Sequence, residues 1–507
     1  MTPSMTQSCH SVAFVGIEAR PIRVECMMTP GVPSFSVVGL PDKAVAESRE
    51  RVRAALASLG VSIPPRKIVV NLSPADLPKK GAHYDLPIAI CIMAGLGVLP
   101  PDPALRVTAI GELGLDGAIR PVTGALPAAL AAAQADMPLV CPAENGPEAA
   151  LVGAAEILAP ASLLALVNHY NGKRPLPRPS PAAPDNGPET IRDLADVKGQ
   201  ERARRALELA AAGGHNLLLI GPPGVGKSML AERLPGILPP LTPEEALETT
   251  MIRSVAGLLE RGAPVRRRPF CAPHHSASMA ALAGGGRDAA PGQVSLAHNG
   301  VLFLDELPEF SRPALESLRQ PLESGVAAIA RANAHVTYPA SVQLVAAMNP
   351  CRCGQLADPS RACNRAPKCG QDYRRRISGP LLDRIDLHVE TPAQPASELA
   401  RLPQGEPSAA VAARVARARE RQAARWREAG VAARVNARVD GAVIEKTVRL
   451  SEQARALLIR AADRLGLSAR GWTRVLRVAL TAADLDGAEQ VGRAHVAEAV
   501  SYRMPAV

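Results

Sequence analysis

Aromatic side chains are scarce in this 507-residue chain, with five Phe, five Tyr and two Trp. So few π-faces exclude a base-stacking platform as the main way of holding a nucleic acid. Lysine is nearly missing, with 9 residues against 49 arginines, so the net charge of +10 is an arginine charge. That excess admits a polyanionic partner without requiring one. The longest apolar run, Leu86–Leu99, is about 14 residues and contains Pro87, too short to cross a bilayer. Met1–His10 lacks the basic and apolar regions of a secretory leader. Nine cysteines in such a length do not make a disulfide framework, so a soluble, cytoplasmic protein is expected. Hydrophobic residues at 47% and charged residues at 21% suit a folded chain, and the length suggests about three domains.

β-like runs at Val12–Ile17, Ser36–Val38, Lys67–Val70 and Arg106–Ile110 alternate with helical stretches at Ala44–Ser58, Leu86–Ala94 and Pro127–Ala135. The alternation predicts an α/β or α+β domain. The proline-dense segment Asn171–Pro188 then reads as a semi-rigid linker. Beyond it, buried-strand runs at Asn216–Ile220, Gly300–Leu304 and Val342–Ala347, separated by helices, predict a parallel α/β sheet. From about Pro407 the pattern is helical and rich in Ala, Arg and Leu.

Gly221-Pro222-Pro223-Gly224-Val225-Gly226-Lys227-Ser228, running into Met229, fits G-x-x-x-x-G-K-[ST] between an apolar strand and a helix. Its glycines let backbone N–H groups curl around phosphates, and the helix N-terminus adds positive potential. Lys227 is expected to reach the β- and γ-phosphates of ATP, and the Ser228 hydroxyl to ligate Mg²⁺. The run Val301–Leu304 ends in two carboxylates: Asp305 to face the Mg²⁺, Glu306 to polarise the attacking water. Ser341–Met348 ends in Asn349, placed to hold that water. Singly, these are a glycine-rich turn, a solvated strand end and an Asn-Pro turn. Their order and spacing carry the nucleotide reading.

In that order the three elements resemble the AAA+ ATPases. Arg268–Ser276 (RPFCAPHHS), Pro291–Gly300 (PGQVSLAHNG) and Ser378–Asp386 (SGPLLDRID) resemble their magnesium-chelatase-like branch. With the N-terminal region included, the whole chain is similar to the ComM/YifB family of competence-associated ATPases. The resemblance implies a hexameric, ATP-driven DNA motor for branch migration during homologous recombination of incoming single-stranded DNA. A metal-chelatase motor subunit and a Lon-like chaperone or unfoldase are the alternatives. It also implies that Arg384 is an arginine finger for a neighbouring subunit's ATP, and that Arg474 is the lid arginine called sensor 2, with Arg470 its rival. Pro273–Arg287 resembles a helix-2 insertion, and Ala327–Pro339 reads as a hairpin with Arg331-Ala332-Asn333 at its tip; both would point into a ring. His274 and His275 have no third ligand at metal-site spacing, so loop contacts are expected of them.

The N-terminal region resembles a Lon-protease-like domain. Asp85-Leu86-Pro87-Ile88-Ala89 stands where the nucleophilic Ser belongs, and Leu126 where the Lys base belongs, so the domain is expected to be peptidase-inactive. The expected organisation is α/β: a Lon-like domain over 1–170, a linker over 171–190, an AAA+ core over 191–395 and an all-α lid over 396–507. Cys351-x-Cys353-x9-Cys363-x5-Cys369 follows the Asn349 strand and could close a tetrahedral, structural zinc site. Arg414, Arg417, Arg419, Arg421, Arg425, Arg427, Arg434 and Arg438 face only Glu420 and Glu428 locally. Such a stretch is either a solvated helix face or a contact for the DNA backbone.

Overall fold

The computed structural model describes residues 6–183, 192–286, 288–331, 334–354, 356, 363–399 and 401–503. They divide into two compact units, one of residues 1–187 with 243–266 and 329–338, the other of 188–242, 267–328 and 339–507.

The first unit is built on a mixed sheet. β1 (Thr6–Val15) and β2 (Glu18–Thr29) form an antiparallel pair, β3 (Ser34–Val38) runs parallel to β4 (Lys67–Ser73), and β4 pairs antiparallel with β2. β5 (Thr108–Ala109), β6 (Leu139–Val140) and β7 (Ile157–Leu158) extend it in parallel, giving the order β3-β4-β2-β1-β5-β6-β7. β2 is missing from the sequence expectation because Pro21 and flanking charges mask it. Its signal is nonetheless there: Ile22, Val24, Cys26 and Met28 alternate onto the buried face.

On this sheet lie α1 (Lys43–Ser58) and α2 (Asp85–Gly95), the latter apolar all round because it is enclosed all round. Asp85 is fully buried at the start of α2 and accepts from Arg51 Nε at 2.5 Å and Nη2 at 3.0 Å. This two-pronged pairing offsets the cost of burying the charge. Leu126, in α3 (Ala125–Gln134), is also fully buried. Helix Pro243–Val255 contributes Ser254 to the Glu148 carboxylate. Strands Val326–Arg331 and Ala334–Pro339 form the expected hairpin, while tip residues Ala332 and Asn333 lie outside the described residues. The Thr337 carbonyl sits so close to Gly16 that a Cβ there would be 2.5 Å away.

The second unit carries a five-stranded, all-parallel sheet: β8 (Leu217–Ile220), β9 (Phe270–Cys271), β10 (Val301–Leu304), β11 (Gln343–Met348) and β12 (Leu387–Glu390), in the order β9-β10-β11-β8-β12. β8, β10 and β11 are buried at every residue, which is why they read as continuous apolar runs. Flanking helices include α4 (Glu201–Gly213) and α5 (Lys227–Ile237).

The helical segment α6 (Ser408–Glu428), α7 (Glu452–Leu465), α8 (Ala469–Asp486) and α9 (Arg493–Ser501) shares one hydrophobic core with the outer face of that sheet. α6 buries Val411, Val415, Ala418, Gln422 and Trp426, a stripe at three- and four-residue spacing. Beneath it Asn436, fully buried, accepts from Trp426 Nε1 at 3.0 Å and donates to Thr481 Oγ1 at 3.0 Å and Asp484 Oδ2 at 2.9 Å. After Tyr170 no helix or strand forms up to residue 183, as a proline-dense segment requires. No helix among the described residues is long and apolar enough to cross a membrane.

Candidate nucleotide site

Because β8, β10 and β11 are parallel neighbours, their carboxyl ends open on one edge of the sheet. That edge collects the P-loop after β8, Asp305 and Glu306 after β10, and Asn349 after β11. Gly221 begins the loop under a steric constraint: a Cβ there would lie 2.2 Å from the Thr391 carbonyl oxygen. Gly226 ends it at φ 88° as the N-cap of α5, a conformation that glycine adopts without cost. Between them Pro223 and Gly224 are exposed, Pro222 and Val225 half-buried, and Met229 projects outward from the first turn of α5.

Lys227 is buried, and its Nζ donates to the carbonyls of Gly221 and Pro222, both at 2.7 Å, and to Asn349 Oδ1 at 3.1 Å. Burial pushes its ammonium below the ordinary lysine range, while Asp305 and Glu306 pull it back. Ser228 Oγ donates to Asp305 Oδ2 at 2.8 Å. A hydroxyl and a carboxylate are hard oxygen donors of the kind Mg²⁺ takes, so the pair fits that ion. Glu306 sits at φ 51°, a left-handed conformation unusual for a non-glycine residue, with its side chain half exposed.

Facing Glu306 is His275, its Nδ1 3.4 Å from Glu306 Oε2. Sequence reading gave His275 no such part. The signal lies in the sheet order: β9 neighbours β10, so the residues following both strands emerge side by side. His274 instead pairs its Nδ1 with Ser276 Oγ at 2.8 Å. The adjoining stretch forms a short helix, Met279–Ala283, and a two-residue strand pair, Gly284–Gly285 with Ala290–Pro291; Arg287 lies outside the described residues.

Arg384 and Arg474 bond to residues outside the P-loop of their own chain. Arg384 Nε donates to the Arg319 carbonyl at 3.1 Å, Nη1 to the Pro380 carbonyl at 2.7 Å, and Nη2 pairs with Glu323. Its guanidinium holds the Glu323 carboxyl below the usual range. Arg474, on α8, lies with Nε 3.5 Å from Asp386 Oδ1 and Nη1 3.9 Å from Asp383 Oδ1. Arg384 and Arg470 are near enough to act on its charge, so the three arginines form one cluster.

Cys351, Cys353 and Cys369 have sulfur atoms within 4.8 Å of one another; Cys363 falls outside that group but is near enough to act on the Cys369 thiol. The arginine-rich stretch is less available than its sequence suggests. Arg414 pairs with Glu208 and Glu406, Arg419 donates to the Ala211 carbonyl, Arg425 pairs with Asp484, and Arg438 donates to the Val342 carbonyl.

A parallel sheet of this order, with a Lys-bearing glycine loop and an acidic strand end on one edge, defines a P-loop ATPase of the AAA+ class. Comparison with known proteins narrows the class. The magnesium chelatase subunit ChlI family matches residues 193–399, its related ChlI model matches 24–145, and its C-terminal model matches 405–503. The chain is 45% identical over 495 residues to the YifB protein of Salmonella typhimurium, covering 97% of this chain and 96% of that one. Identity to YifB of Escherichia coli is 45% over 496 residues, with the same coverage. The competence protein ComM of Haemophilus influenzae is 43% identical over 500 residues, again 97% and 96% of the two chains. The chain belongs to the ComM/YifB family of magnesium-chelatase-like AAA+ proteins.

Proposed function

We propose that this chain is the subunit of a ring-forming, hexameric ATPase that works on DNA in the cytoplasm, driving branch migration as incoming single-stranded DNA is recombined. The observation that carries the reading is the cluster of Lys227, Ser228, Asp305, Glu306 and Asn349 on one sheet edge, in a chain collinear with a competence protein. In this reading the chain is laid out as a Lon-protease-like, peptidase-inactive domain (1–170), a linker (171–190), the ATPase core (191–395) and a helical lid (396–507). The buried stretch Asp85–Ala89, which contains no Ser, and buried Leu126 in place of the Lys support the inactive assignment.

Each residue then has a task. The loop from Gly221 to Ser228 and the first turn of α5 bind the phosphates with backbone N–H groups. Lys227 exchanges its three internal acceptors for phosphate oxygens, and Asn349, released from Lys227, orients the attacking water. Ser228 and Asp305 hold Mg²⁺, which when bound neutralises charge on the β- and γ-phosphates. Glu306 takes a proton from the water, and His275 restrains the Glu306 carboxylate. Arg384, bonded in its own chain to Arg319, Pro380 and Glu323, is presented to a neighbour's ATP, which requires a head-to-tail interface that closes into a ring, and Arg474 is the lid arginine that contacts the nucleotide.

The test is ATP turnover with and without single-stranded DNA, together with strand displacement from a fluorescent three-strand junction. DNA stimulation and ATP-dependent displacement are expected. ATPase activity without either would refute the DNA motor and favour a chelatase-type subunit or a chaperone.

A further inference from the structure

The loop that follows Asn349 is a second chemical feature that the ATPase reading leaves unused. Cys351 is buried at the end of β11, Cys353 is exposed, and Cys369 lies on the helix Lys368–Arg374, yet their three sulfur atoms fall within 4.8 Å of one another. Cys363 lies outside that mutual distance but beside Cys369, near enough to act on its thiol and to supply the fourth ligand. Four thiolates around zinc, each at about 2.3 Å, stand about 3.8 Å apart in a tetrahedron, close to what this cluster already holds. No carboxylate or imidazole competes for a place in it among the described residues. We propose that Cys351, Cys353, Cys363 and Cys369 bind one zinc ion, and that this ion fixes the nucleotide site by tying the turn Cys351–Gly354 to the helix Lys368–Arg374.

The route from the metal to the nucleotide is short. Cys351 is two residues from Asn349, whose Oδ1 accepts from Lys227 Nζ at 3.1 Å. The turn that begins at Cys351 closes with Gly354 N donating to the Cys351 carbonyl at 3.0 Å. There Gly354, at φ 76°, lies so near the P-loop that a Cβ would be 2.8 Å from Pro223 Cδ. On the other side, a Cβ on Gly370 would stand 3.2 Å from the Pro350 carbonyl, so the helix that carries Cys369 rests on the strand end itself. A zinc ion here has four protein ligands and no open position, so it is structural. Its contribution is to hold Asn349 and Pro223 in register with Lys227. This role rests on the assignment of the nucleotide site.

The test starts from the full-length protein purified without chelator. Metal analysis should give one zinc per chain, and Co²⁺ exchanged into the metal-free protein should produce the intense visible bands of tetrahedral thiolate coordination. Cys353→Ser and Cys363→Ser should lower zinc content. Each should slow ATP turnover by about tenfold, the scale of an outer-shell positioning loss, with a smaller change in the affinity for a fluorescent ATP analogue. Lys227→Ala should lose nucleotide binding and keep its zinc, which separates failure of the nucleotide site from failure of the metal site. Zinc far below one per chain, with no thiolate bands on Co²⁺ addition to the wild-type protein, overturns the metal site. Full zinc in the wild type with undiminished turnover in zinc-free variants overturns the coupling.

Discussion

If Arg384 serves the neighbouring subunit's ATP, two inactive variants should repair each other. Within one chain Arg384 has two backbone acceptors and one acidic partner, Glu323, itself 62% exposed. With the carboxylate half of the pair open to water, the pair contributes about 1 kcal/mol, so Arg384→Ala should fold and bind ATP normally. Turnover is another matter, because a finger that neutralises the γ-phosphoryl group contributes about 10³–10⁵ in rate, or about 4–7 kcal/mol of barrier. Glu306→Gln should be equally inactive for the opposite reason, lacking the base while keeping the finger. In an equal mixture, a site is complete where an intact Glu306 meets a neighbour's intact Arg384. Random assembly makes that about one quarter of interfaces in a head-to-tail ring. The assay is steady-state phosphate release at fixed total protein over a range of mixing ratios, with recovery peaking at equal parts. A control mixture of wild type and Glu306→Gln establishes that subunits exchange. With exchange established, a flat, inactive profile refutes the shared site, and so does Arg384→Ala turning over ATP at the wild-type rate.

Lys227→Ala should abolish binding of a fluorescent ATP analogue, whereas Glu306→Gln should bind it fully and hydrolyse at least about 100-fold more slowly, the contribution of a positioned general base. Asn436→Ala should destabilise the second unit by about 3 kcal/mol, because it leaves the buried Trp426 indole N–H unpaired and strips a donor from Asp484 and Thr481. Urea unfolding checks this, and a loss below about 1 kcal/mol would mean that water replaces the missing amide. Glu148 offers a pH test: burial raises its pKa, against the hydrogen bonds from Ser254, Leu126 N and Asn145 that lower it. A carboxyl raised in the folded state stabilises below its unfolded pKa, and that contribution is lost as pH rises through the folded value. Glu148→Gln should therefore gain stability over the wild type near neutrality and lose that advantage in mild acid; parallel pH profiles for the two would count against the assignment.

Much of the second unit was legible because its chemistry is local in sequence. A buried parallel strand is an apolar run, and the P-loop and the acidic strand end each sit immediately after one. β2 was missed for the converse reason. Its information is spread over alternate residues, with Pro21 and charged neighbours between them, and only pairing against β1 and β4 makes the pattern decisive. Residues 243–266 and 329–338 also gave no warning of their grouping with the N-terminal unit, since which unit an insertion joins depends on tertiary contacts. The arginine-rich stretch shows the limit of counting charges. Its eight arginines look like an electrostatic footprint until Arg414, Arg419, Arg425 and Arg438 are found bonded within the fold. Arg417, Arg421, Arg427 and Arg434 remain exposed, and four phosphate contacts give a salt slope of only about −3 to −4.

His275 makes the same point at the site itself. Nothing in Pro273-His274-His275-Ser276 separates one histidine from the other, and neither has a partner at a fixed offset along the chain. The sheet order separates them. With β9 beside β10, the backbone leaving β9 runs alongside Asp305-Glu306, and it delivers His275 to the Glu306 carboxylate and His274 to Ser276. Both members of the His275–Glu306 pair are more than a third exposed, so the contact is weak, worth at most about 1 kcal/mol. Weakness suits the part. A restraint on a catalytic base has to yield when the γ-phosphate and its water arrive, and a strong buried pair would hold Glu306 out of the reaction. A contact of about 1 kcal/mol shifts the poised fraction of Glu306 by about fivefold, enough to grade the rate of an ATPase without stopping it.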